Sequence, residues 1–77
     1  GYVKSHLTVC YDVLGEIRRQ AESLPGDRIE VQVNPAVADL LASVEHEHVV
    51  LLEKRFGKTI MVKGEPDFHC EQFEIHV

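Results

Sequence analysis

Apolar residues recur at Val3, Leu7, Cys10, Leu14, Ile17, Ala21 and Leu24, spaced 4, 3, 4, 3, 4 and 3. That rhythm draws one stripe along a helix and is incompatible with a strand. It commits the first third of the chain to a helix of about Ser5 to Ser23. Ser5 or Thr8 can cap the start. Lys4, Asp12, Glu16, Arg18, Arg19 and Glu22 fall off the stripe, and Arg18 and Glu22 stand four apart as an ion pair. Leu24-Pro25-Gly26-Asp27 stops the helix and turns the chain.

The period then changes. Ile29, Val31 and Val33 alternate with Glu30 and Gln32, the pattern of a half-buried strand. Asn34 and Pro35 open a second helical stretch as N-cap and first helical residue. Its stripe runs Val37, Leu40, Leu41, Val44, His48, Leu51, Leu52, Phe56. This is one helix, or two with a break near Glu45 and His46. Gly57 suits the position just past a helix end, with Lys54 and Arg55 in the last turn, where the dipole favours cations. Thr59–Lys63 reads as a second strand, and Gly64-Glu65-Pro66-Asp67 as a loop. Phe73, Ile75 and Val77 alternate with Glu74 and His76 as a third strand.

The order α-β-α-β-β predicts an α+β fold: a three-stranded mixed sheet with two helices packed on one face. The β-α-β portion favours a parallel pair through a right-handed crossover. The last two strands are close enough in sequence to pair antiparallel. Seventy-seven residues make a single small domain. A core of that size supplies roughly 3–5 kcal/mol of net stability.

Thirteen acidic residues against eight basic ones leave a net charge of −5. A dedicated nucleic-acid module rests on cationic neutralisation of phosphates, so the balance leaves room only for a local basic patch. Arg18, Arg19, Lys54, Arg55 and Lys58 are the candidates for RNA contact; the competing reading is solubility and dipole complementation. Two cysteines make no disulfide framework and no CxxC pair. They fit a reducing cytoplasm as small buried hydrophobes. No apolar run approaches the ~20 residues of a membrane span.

Reactive constellations are weak. His46 and His48 lie two apart on a helix and point about 200° from each other, so one metal cannot easily take both. His69-Cys70 has no partner pair at ligand spacing, which favours a loop histidine beside a buried thiol. Cys10 lies on the apolar stripe, where thiols are inert. Asp12, Glu16 and Glu22 read as a solvated helix face. No glycine-rich phosphate loop is present. The residues support no catalytic centre and no metal site in this chain, and an independent small enzyme would need a convergent reactive pair the sequence lacks. Gly1 in place of Met suggests a piece of a longer protein.

Taken in order, Gly1 to Ser5, Thr8-Val9-Cys10-Tyr11, Glu16-Ile17-Arg18-Arg19, Val33-Asn34-Pro35-Ala36-Val37-Ala38, Leu52-Glu53, Phe56-Gly57-Lys58 and Glu71-Gln72-Phe73 resemble the C-terminal end of the ribonuclease E/G family. The similarity covers nearly all of the chain. The resemblance implies the family's small domain, which follows a zinc-binding cysteine motif and helps assemble a homo-oligomer. It implies a parent that is a magnesium-dependent, single-strand-specific endoribonuclease of RNA processing and decay, with the catalytic aspartates and the zinc ligands upstream. Cys10 and Cys70 do not stand in for those ligands. Val3, Leu7, Cys10 and Leu14 become the candidate oligomer interface. Gly15 departs from the family, which commonly carries a charged residue there; a mid-helix glycine costs about 1 kcal/mol relative to alanine.

Overall fold

Ser5 starts the first helix by accepting a hydrogen bond from the Thr8 amide at 3.1 Å. The computed structural model describes residues 5–77, and Val3 lies outside them. Helix α1 spans His6–Gln20, β1 Arg28–Val33, α2 Pro35–Ala42, α3 His46–Phe56, β2 Thr59–Gly64 and β3 Phe73–His76. The expected α+β architecture with a three-stranded mixed sheet is present.

The second helical stretch is two helices. Asn34 caps α2 through its side-chain oxygen, 2.9 Å from the Ala36 amide. Ser43, at φ −123° and ψ −85°, ends it. The break shifts the phase of the stripe. Val44 and Leu51, expected inside, are exposed at 69% and 61%, and Val49 turns inward instead at 5%. On α1 the buried face is broader than one stripe, because Val9 and Val13 join Cys10, Leu14 and Ile17. The regular helix also ends at Gln20, three residues short of Ser23.

The strand order is β2-β1-β3. The parallel pair of β1 and β2 is as expected. The antiparallel pairing of the last two strands is not: β3 pairs with β1. The reason is burial. The inward row of β1, namely Ile29, Val31 and Val33, is at most 1% exposed, which only a central strand achieves. Val31 sits between Val62 and Ile75, and Val33 faces Phe73. The segment after β2 is led across the end of β1 by two bonds. The Glu65 amide donates to the Val33 carbonyl at 2.7 Å, and Asn34 Nδ2 donates to the Phe68 carbonyl at 2.8 Å.

One core joins the inward sheet row to Val9, Cys10, Val13 and Ile17 of α1, Val37 and Leu41 of α2, and Val49 of α3. Alternate strand residues on the other side of the sheet, among them Glu30, Gln32, Lys63, Glu74 and His76, are half-buried or exposed. That side remains polar, as an antiparallel edge permits. Gly57 closes α3 in the left-handed region at φ 64°, a conformation glycine adopts without a Cβ penalty.

Candidate functional site

The five basic candidates do not form one patch. Lys58 is spent on structure: its ammonium donates to the carbonyls of Leu24 at 2.7 Å and Gly26 at 2.6 Å, fixing the turn before β1. Arg19 is held by Glu16 through two bonds, Nε to Oε2 at 3.2 Å and Nη2 to Oε1 at 3.1 Å. The pairing pulls the Glu16 carboxyl below its ordinary range and pushes the Arg19 guanidinium further up. The ion pair expected between Arg18 and Glu22 is absent among the described residues, because Glu22 lies beyond the last regular turn of α1. Lys54 projects from the outer side of α3 beside His46 and Glu47.

The remaining two, Arg18 and Arg55, meet across a groove of about 420 Å³ between α1 and α3. Leu14, Leu51 and Leu52 supply its apolar lining, and Tyr11 and His48 its polar tips. Gly15 lines it too, and a Cβ built there would meet nothing within 4 Å. No carboxylate lines the groove. Tyr11, Gly15 and Arg18 stand 4 and 3 apart, and His48, Leu51 and Arg55 stand 3 and 4 apart. Each set is one helical face. This spacing was legible in the sequence, but it is hidden beside the stronger apolar stripe, and nothing local shows that the two faces meet.

Behind the groove lies Glu45, at 4% exposure the one buried polar or charged residue among those described. It precedes α3, where the helix dipole favours an anion. Its carboxylate is hydrogen-bonded to Nδ1 of His48, and its charge acts on the nearby Tyr11 phenol. That negative charge pushes the Tyr11 phenol above its ordinary range. Cys10 lies deeper, wholly buried, with Sγ 3.8 Å from the Val37 carbonyl. Burial first, and the Glu45 charge second, push its thiol up.

The candidate interface residues are placed unequally. Leu7 is 38% exposed and Leu14 9%, and Cys10 has no exposed surface. His46 and His48 are both exposed on α3, while His69 and Cys70 sit in the connection before β3. Among the described residues no group of three or more His, Cys, Asp or Glu side chains converges as a metal site would, and no helix is long and apolar enough to cross a membrane.

Known proteins supply the context. Over 75 residues, 97% of its length, the chain is 37% identical to ribonuclease G of Escherichia coli strain K12 and to ribonuclease G of Salmonella typhimurium strain SL1344. This segment belongs to the ribonuclease E/G family. Ribonuclease G of Haemophilus influenzae is 35% identical across the whole chain. The chain spans 15–16% of the length of these ribonuclease G relatives. No family model matches it.

Proposed function

We propose that this domain is the non-catalytic, C-terminal assembly domain of a ribonuclease E/G-type endoribonuclease working in RNA processing and decay. The observation that carries the reading is a domain with its own closed core that aligns end to end with about one-seventh of ribonuclease G. Such a unit contributes surface to its parent. In this reading the hydrolytic step, its magnesium and an upstream zinc belong to other segments of the parent. RNA reaches the enzyme in the cytoplasm chiefly through those segments.

The surface for assembly is the start of α1. Leu7 is 38% exposed there, immediately beyond the buried Cys10 and Val9. One apolar face thus continues from core to surface, and this reading takes its exposed end as the contact surface. Sedimentation equilibrium of the chain and of Leu7→Glu tests this. The expected result is a concentration-dependent oligomer that Leu7→Glu shifts towards monomer. A strict monomer at every concentration counts against the assembly role.

A further inference from the structure

We infer that the groove between α1 and α3 binds single-stranded RNA, with a base laid against Tyr11 and the flanking phosphates on Arg18 and Arg55. This goes beyond the assembly reading and does not depend on it.

Charge complementarity is the first argument. The chain is net acidic, yet the groove is lined by two guanidiniums, an imidazole and no carboxylate. Among the described residues neither Arg18 nor Arg55 makes an ion pair, in contrast to Arg19. Two unneutralised arginines at the rim of an apolar trough are suited to a ligand that carries its own negative charges. A trough of about 420 Å³ matches a small ligand group such as one nucleotide. A base presents an apolar face to Leu14 and Leu51, and Tyr11, 51% exposed, offers a ring for stacking.

Gly15 is the second argument. It stands in the middle of α1, where glycine weakens a helix. No neighbour requires it, since a Cβ there would meet only open space. The space it leaves open is the groove itself. A larger side chain would stand where the ligand lies.

His48 is the third. Its Nδ1 is committed to the buried Glu45 carboxylate. That contact leaves Nε2 as the ring nitrogen available to a ligand. A ribose 2′-hydroxyl, both donor and acceptor, is a matching partner, and it is the group that separates RNA from DNA.

The test is fluorescence anisotropy of a labelled oligoadenylate of about ten nucleotides titrated with the 77-residue chain, against the deoxy counterpart. The expected result is saturable binding of the RNA, weaker binding of the DNA, and a slope of log affinity against log salt of about −1.4, the value for two neutralised phosphates on a single strand. Arg18→Ala and Arg55→Ala each weaken binding, and Tyr11→Ala weakens it at least about fivefold while Tyr11→Phe retains it. Arg19→Ala leaves it unchanged. Gly15→Leu abolishes binding while circular dichroism shows an intact fold. No binding at low salt overturns the inference, as does an Arg19→Ala loss equal to that of Arg18→Ala. So does a self-association that Gly15→Leu abolishes, since the groove would then hold a second copy of the chain. Failure of the assembly role is read separately, from Leu7→Glu in sedimentation.

Discussion

The carboxylate of Glu45 holds His48 one helical turn further along α3 through the imidazole Nδ1. One partner is buried and the other is 55% exposed through its side chain, so their removal has unequal consequences. Taking away Glu45 leaves a hole in a buried place and leaves the His48 Nδ1 donor without its acceptor. Taking away His48 leaves a carboxylate that still stands at the start of α3, where the helix dipole favours it. Glu45→Ala is expected to cost about 2 kcal/mol and His48→Ala less than about 1 kcal/mol in urea unfolding. Equal costs would show that the pair is held by its exposed member.

Gly15→Ala is expected to raise stability by about 0.5–1 kcal/mol, because the added methyl group meets nothing within 4 Å and glycine is the poorer helix former. Thermal unfolding by circular dichroism measures it. A destabilised variant would mean that a contact depends on the missing Cβ.

Gly64→Ala has the opposite sign. A Cβ there would lie 3.2 Å from Pro35 Cα and 3.5 Å from the Ala38 Cβ. The end of β2 approaches the start of α2 backbone to side chain, so the methyl group must push the helix away. The expected cost is about 1 kcal/mol by urea unfolding. The two glycine substitutions should therefore separate cleanly in one assay.

The Cys10 thiol gives a pH dependence. Burial and the Glu45 charge raise its pKa above the ordinary thiol value of 9.0. The unfolded chain therefore ionises first, and the folded state binds the proton more tightly. The stability due to this shift is fully present below pH 9 and is lost as pH rises through the folded value. Tyr11, raised from 10.0, adds a loss of the same sign at higher pH. Urea midpoints at increasing pH should fall above about pH 9, and the fall should begin later in Cys10→Ala. A midpoint that rises over this range would mean that the thiolate is stabilised in the fold.

Lys58→Met removes the donor to the Leu24 and Gly26 carbonyls. Two charge-assisted bonds in a half-buried setting make this a stability variant, with an expected loss of about 1–2 kcal/mol. Its affinity for RNA, measured on folded protein, should match that of the unaltered chain. A large loss of binding with unchanged stability would return Lys58 to the interface.

Much of this was legible in the residue pattern, and the exceptions share a cause. The caps at Ser5 and Asn34, the stop at Gly57 and the inward row of β1 are set by neighbours within a few residues. The position of β3 is set by bonds between Asn34 and Phe68 and between Val33 and Glu65, which local patterning does not express. The same holds for Val44 and Val49, since a helix break rotates every following side chain. The groove has no local signature for the same reason: its two walls come from helices separated by β1 and α2.

The side chain of Glu53 accepts from the Ile60 amide at 2.8 Å. Ile60 lies on β2, an outer strand, so this donor on the open border is already occupied from within the chain. An engaged donor cannot pair with an incoming strand. The border of the sheet along β2 is therefore blocked at Ile60, near its start, and strand-by-strand polymerisation, the common hazard of a small open sheet, meets a local obstacle there in a single carboxylate from α3.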